Sequence, residues 1–149
     1  MEIKKASVND NEILTKITKK SKAYWGYSEE QISLWDNNLT ISKEYIESNS
    51  VFTLVNDDKV VGYYSYIIKE EKNVILDNLF ILPEYIGKGF GKYLMNDFLT
   101  RMKNEKFKKI TLDSEPNAEN FYLKIGFKKV GEFETSIKNR FMPIMELSL

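Results

Sequence analysis

Three glycines at alternate positions, Gly87, Gly89 and Gly91, stand with Lys88 and Lys92 in the run EYIGKGFGKYL of residues 84–94. A strand-like apolar run precedes them and a helical pattern follows, so the glycines fall where a helix begins. Glycine there lets the backbone approach a ligand closely, and the unpaired N–H groups of a first helical turn, at its positive dipole end, hold an anion. Lys88 and Lys92 add charge, and a phosphate-bearing ligand is the direct inference. The plainer reading is a tight turn with two solvated lysines. Two familiar phosphate motifs fail. A GxxxxGK[ST] loop would need glycine where Ile86 stands and Ser or Thr where Tyr93 stands, and GxGxxG would need glycine where Lys92 stands.

Little else in the chain points to chemistry. Among its 149 residues there is no cysteine and no histidine. Thiolate nucleophiles, a Ser-His-Asp triad, a histidine base and the usual zinc sites are therefore excluded, and no metal is expected. The 22 basic and 22 acidic side chains cancel, so no global footprint for nucleic acid exists and any anion site is local. MEIKKASVND at the N-terminus carries no apolar run, and no window approaches the ~20 apolar residues of a membrane span. The expectation is a soluble cytoplasmic protein without membrane or nucleic-acid partners, forming one domain over residues 1–149.

The elements that must position the glycines follow from periodicity. A strand near Ile3 leads to a helix from about Asn9 to Tyr24; SEEQ at 28–31 reads as a capping box that starts a helix with Ile32 and Trp35, and Ser42 caps another through Tyr45 and Ile46. The period then changes. Segments 51–55, 60–69 and 74–82 predict three strands in series, with NDDK and EEKN as turns. After Pro83 the pattern is helical, with Phe90, Leu94, Phe98, Leu99 and Met102 on one face to about Glu105. A strand at 108–114, a short helix at 117–125 stopped by Gly126 and two closing strands complete the chain. Strands 74–82 and 108–114, joined by a helix, must lie parallel. The fold class is a mixed, mostly antiparallel α/β sheet with a central parallel βαβ unit, flanked by helices.

Two runs in this order, LFILPEYIGKGFGKYL and then NAENFYLKIGFKKVGE, resemble the GCN5-related N-acetyltransferase (GNAT) superfamily. The first is similar to its acetyl-CoA loop, Q/R-x-x-G-x-G/A after a strand, and the second to A-x-x-F-Y-x-x-x-G-F, through Ala118, Phe121, Tyr122, Gly126 and Phe127. The resemblance implies that the backbone of Leu79, Phe80 and Ile81 pairs with the pantetheine arm. It gives Gly87, Lys88, Gly89, Phe90, Gly91 and Lys92 to the pyrophosphate, and Asn117 to the pantetheine. Tyr122 would protonate the leaving thiolate, and Asp77 would receive the amine proton, with Asp113 and Glu115 as weaker candidates. Two positions depart from the pattern: Ile86 stands where Gln or Arg is usual, and Glu115 where Asn is often found.

Transfer of an acetyl group from acetyl-CoA to an amine, by direct attack in a ternary complex, is the activity so implied. The alternative is a non-catalytic acyl-CoA-binding module. For the acceptor, a small-molecule or protein amine, the residues Tyr24, Trp25, Tyr27 and Trp35 beside Glu29, Glu30 and Asp36 could hold a cation by cation–π contact and ion pairing. The plainer reading puts these aromatics in the core and the acids in a helix's first turn. Tyr64, Tyr66 and Arg140 are further candidates for the acceptor side. A homodimer through edge strands near the C-terminus is possible by analogy.

Overall fold

The computed structural model describes all residues, Met1–Leu149. Seven strands lie in one sheet: β1 (Glu2–Lys5), β2 (Ser50–Asn56), β3 (Lys59–Glu70), β4 (Asn73–Ile81), β5 (Lys109–Asp113), β6 (Lys128–Glu134) and β7 (Phe141–Ser148), in the order β1-β2-β3-β4-β5-β7-β6. The helices are α1 (Asn11–Tyr24), α2 (Glu29–Leu34), α3 (Asp36–Leu39), α4 (Lys43–Ser48), α5 (Phe90–Asn104) and α6 (Glu119–Ile125). The mixed α/β class and the βαβ unit are as the periodicity predicts: β4 and β5 pair in parallel from Asn73↔Lys109 to Ile75↔Thr111, while β1–β2, β2–β3, β5–β7 and β6–β7 are antiparallel. No helix is long and apolar enough to cross a membrane.

Two compact units make up the chain, residues 1–66 with 78–100 and residues 67–77 with 101–149. In the first, β3 is buried continuously from Val61 to Tyr66, not at alternate positions. Both of its faces are covered. Leu14 and Ile17 of α1, Ile41, and Ile46 of α4 pack with Val51 and Tyr63, while Phe98 of α5 sits against Tyr64 and Tyr66, which stack with Phe52. Each such large apolar side chain contributes about 1.5–3 kcal/mol when fully buried. The Tyr64 hydroxyl donates to Asp97 (2.7 Å). Tyr64 and Tyr66 are 0% and 4% exposed, so they are core residues and not part of an acceptor surface. In the second unit, β5 is flanked by β4 and β7, and its Ile110 and Leu112 are buried, as are Val74, Leu76, Phe127 and Met145.

Several element ends differ from the expected ones, each for a local reason. The first helix does not start at Asn9: Ser7 and Asp10 form a reciprocal capping box around a 3-10 turn, Val8–Asp10, and α1 begins after it. At SEEQ only the Ser28 half of the box is made, its hydroxyl accepting from the Gln31 amide (3.0 Å). Pro83 opens a 3-10 turn, Pro83–Tyr85, and the helix proper waits until Phe90. Pro116 does the same before α6, because proline at the first position suits a turn start and supplies no amide to a longer helix.

One close approach governs the end of β4. A β-bulge shifts the β2–β3 register between Leu54↔Gly62 and Val55↔Val60, and the Val61 carbonyl accepts from the Leu82 amide (2.8 Å). A Cβ added at Gly62 would lie 2.8 Å from Ile81 Cγ2 and 2.9 Å from the Phe80 carbonyl oxygen. Only glycine lets the two backbones pass this closely. Gly62→Ala is expected to lower unfolding free energy by roughly 1–3 kcal/mol, the range for overpacking a filled interior. Urea titration of the variant beside the parent checks it.

Candidate functional site

The glycine loop takes its shape from two left-handed residues. Gly87 and Gly89 have φ of 82° and 83°, and a Cβ at either would meet nothing within 4 Å. The glycines are thus required by backbone conformation, and the space above them is open. The first helical bond of α5 runs from the Tyr93 amide to the Gly89 carbonyl (3.0 Å), so the amides of residues 90–92 precede the hydrogen-bonded ladder. These donors carry the helix's positive end, equivalent to about half an elementary charge. Tyr85 and Phe90 brace the loop by stacking at 5.1 Å and 20°, and the Lys88 ammonium lies 5.7 Å from the Tyr85 ring. Lys88 and Lys92 are exposed. Such a loop fits a pyrophosphate: open, lined by unsatisfied amides and flanked by two cations.

Leu79, Phe80 and Ile81 form the last residues of β4. The parallel ladder with β5 ends at Ile75↔Thr111, although β4 continues to Ile81. On the α1 side the Ser21 hydroxyl donates to the Ile81 carbonyl (2.6 Å), fixing the strand end. Beside it, the Asn78 amide donates to Ser65 (2.9 Å) and, at 3.4 Å, to Tyr45, whose hydroxyl shares a hydrogen bond with Ser65 (2.9 Å). Sequence reasoning missed Ser21 and this network. The one available signal was Ser65, a polar residue inside the apolar run VVGYYSYII.

The four aromatics expected to line an acceptor pocket make two edge-to-face pairs. Tyr24 and Trp25 meet edge to face at 5.0 Å and are exposed; Tyr27 and Trp35 make a second such pair, also at 5.0 Å. Gly26, at φ 92°, turns the chain between the pairs. None of the four belongs to the buried core. The cation beside Trp35 is the chain's own: the Lys22 ammonium lies 5.9 Å from the Trp35 ring and 5.9 Å from that of Phe80. Asp36 is engaged by Lys19, and Glu29 and Glu30 lie in the first turn of α2, where the dipole favours them.

In the second unit Tyr122 is a buried residue, 7% exposed, with its ring held edge-on by Phe121 (5.2 Å) and Phe127 (5.6 Å). Its hydroxyl makes no hydrogen bond to the protein. Because no side-chain oxygen or nitrogen is both shut from solvent and unpartnered, the hydroxyl reaches solvent. Burial pushes the phenol well above its ordinary value of 10, so it stays protonated and is suited to donate a proton, not to take one. Asp77 and Asp113 lie near the ends of the parallel segments of β4 and β5, both exposed. Partial burial, and then the neighbouring charge of Asp77, raise Asp113 above the usual carboxylate value. Asn117 is exposed and donates to Glu115 (2.8 Å), which also accepts from Arg140 (2.9 Å). No cluster of three or more metal-ligating side chains is present.

A mixed, mostly antiparallel sheet with one parallel pair, joined by a helix that opens on a glycine loop, is the architecture of an acetyltransferase-type domain, and the comparisons with known proteins agree. The family profile described as "Acetyltransferase (GNAT) domain" matches residues 25–149, and the chain belongs to the GNAT acetyltransferase family. The PaiA N-acetyltransferase of Thermoplasma acidophilum, solved in complex with coenzyme A, superposes with a TM-score of 0.83 at 26% identity, covering 99% of this chain and 98% of that one. A GCN5-related N-acetyltransferase of Rhodopseudomonas palustris shares the fold at a TM-score of 0.79 and 20% identity, covering 99% and 95%. An uncharacterized N-acetyltransferase of Mycobacterium tuberculosis is 30% identical over 103 residues, which span 64% of this chain and 66% of that protein.

Asp113 carries a testable sign. Its raised folded-state value means that its contribution to stability is fully present below about pH 3.8 and is lost as pH rises through the folded value. Replacing it by a neutral isostere removes that loss. Asp113→Asn is expected to melt at a higher temperature than the parent at neutral pH, with the difference shrinking towards acid pH, as paired thermal scans would read out.

Proposed function

We propose that this chain is an acetyl-CoA-dependent N-acetyltransferase, acting as a single acetyltransferase domain on a primary amine of a small molecule or an exposed protein amine. The observation that carries the reading is the open loop of Gly87 and Gly89 above the unsatisfied amides that begin α5. Coenzyme A in the PaiA structure supports the same ligand class for this chain. A soluble cytoplasmic setting fits the reading.

When bound, acetyl-CoA supplies the activated thioester. The amides of residues 90–92 hold its pyrophosphate, with Lys88 and Lys92 adding charge. Leu79, Phe80 and Ile81 offer backbone groups to the pantetheine arm, in the manner of an added strand. The acceptor amine attacks directly, since the chain has no cysteine or histidine to carry the acetyl group. Asp77, with Asp113 beside it, takes the amine proton, directly or through water. Tyr122 gives its proton to the departing sulfur, a role that suits a phenol kept neutral by burial with its hydroxyl reached by solvent. That hydroxyl favours an enzyme over a module that only binds acyl-CoA.

Two measurements test the reading. Calorimetric titration is expected to show binding of acetyl-CoA, weakened when the loop is closed by Gly89→Val, which strains a left-handed residue and fills the open space; undiminished binding by this variant would remove the loop from the site. For Tyr122→Phe, thiol release with an accepted amine is expected to fall about 100-fold or more, as for loss of a general acid, with acetyl-CoA affinity nearly intact. Parallel loss of turnover and affinity would assign Tyr122 to binding instead.

A further inference from the structure

The segment that delivers Tyr122 is held by an ion pair that is shielded from solvent. Glu115 and Arg140 are 9% and 12% exposed and meet at 2.9 Å, whereas the side chains of Lys4–Glu2, Lys19–Asp36, Lys109–Glu146 and Lys129–Glu132 are between 33% and 65% exposed. Exposed pairs contribute little, but breaking a shielded one leaves a charge stranded. Both carboxylate oxygens of Glu115 are used. One accepts from Arg140 and the other from the Asn117 amide (2.8 Å).

Each partner is itself fixed by backbone bonds. Ser114, at the end of β5, donates its amide to the Pro143 carbonyl (2.8 Å) and its hydroxyl to the Glu115 carbonyl (2.8 Å). Arg140 closes the turn before β7, its carbonyl accepting from the Thr135 amide (2.8 Å) and its amide donating to the Ile137 carbonyl (3.1 Å). The Glu115–Arg140 pair therefore ties the start of the 3-10 turn Pro116–Ala118 to the β6–β7 connection. Tyr122 lies one helical turn further on, in a helix of seven residues whose N-cap, Ala118, has no side-chain bond. A helix this short is marginal by itself and takes its place from its tertiary ties. At its far end those ties are the Phe121, Tyr122 and Phe127 rings; at its near end they are Glu115 and Arg140.

We propose that the Glu115–Arg140 pair, with Asn117, is the positioning element of the catalytic tyrosine: it orders residues 114–118 and thereby sets where the Tyr122 hydroxyl points. In this role Arg140 and Glu115 act through Tyr122. The kinetic part of this inference rests on Tyr122 being the acid, and its structural part does not.

The test uses Glu115→Gln, which keeps an oxygen for Asn117 and removes the charge, and Arg140→Lys, which keeps the charge and loses the planar fork. Hydrogen exchange of the full chain is expected to quicken in residues 116–126 of both variants, more in Glu115→Gln, with β1–β3 unchanged. Unchanged protection of residues 116–126 would overturn the proposal. Turnover is expected to fall about 10- to 100-fold in Glu115→Gln, the size of effect a small misplacement has, and less in Arg140→Lys. In a Tyr122→Phe background the same substitutions are expected to cost less than about twofold more, since coupled residues are not additive; equal fold-losses in the two backgrounds would overturn positioning. If Tyr122→Phe alone leaves turnover unaltered, the acid assignment fails and the exchange result decides the positioning role by itself. Should Glu115→Gln not fold, Arg140→Lys is read by the same two assays.

Discussion

The parallel pairing of β4 with β5 is the constraint from which the rest of the architecture follows. Neighbouring parallel strands cannot be joined by a hairpin; the chain must cross over, and α5 is that crossover. Its N-terminus must then follow the C-terminal end of β4 within a short connection. This is why the glycine loop, the unsatisfied amides and the strand end held by Ser21 and flanked by Gly62 all occur together. The ladder itself is only three residue pairs long. Beyond it β4 keeps an extended backbone to Ile81, and in the proposed function that extended end is where the pantetheine arm adds as a further strand.

Much of this was legible in the sequence because it depends on local rules. The switch from alternating to helical period at Pro83, the parallel relation of 74–82 and 108–114, and the glycine spacing all report backbone requirements that a few neighbouring residues decide. The left-handed conformation of Gly87 and Gly89 is such a requirement. What was not legible depends on partners distant in the chain. Tyr64 and Tyr66 read as one face of a strand open to a ligand, yet β3 is covered on both sides and Phe98, more than thirty residues later, packs on that face. The approach of Lys22 to the Trp35 ring, from a different helix, could not be read from residue spacing. Asn117 read as a ligand contact by resemblance, and its amide is turned to Glu115, which in turn is held by Arg140 from the β6–β7 connection.

The pKa values of Tyr122 and Asp113 are both displaced upward, and the proposed mechanism uses the two groups in opposite directions. Burial holds Tyr122 neutral while its hydroxyl stays accessible, and a phenol in that condition has a proton to give at any ordinary pH. Asp113 is less buried and is raised by Asp77 as well, which makes it a stronger proton acceptor than a carboxylate alone in water. In the proposed mechanism the acid is a phenol and the base a carboxylate pair, in a protein that contains no imidazole.

The β2–β3 hairpin has a consequence for how the chain assembles. Its turn is made by Asp57 and Asp58, both left-handed at φ 51° and 61°, the geometry that closes two strands with the least intervening chain. The β6–β7 pair is likewise local. By contrast, Glu2 finds Val55 and Asn73 finds Lys109 only after long stretches of chain have been brought to order, and contacts of that kind form slowly. Two hairpins can therefore nucleate separately, one in each compact unit, before the parallel ladder closes. Nascent chain leaving a ribosome would complete the first hairpin while the residues of the second are still being synthesised.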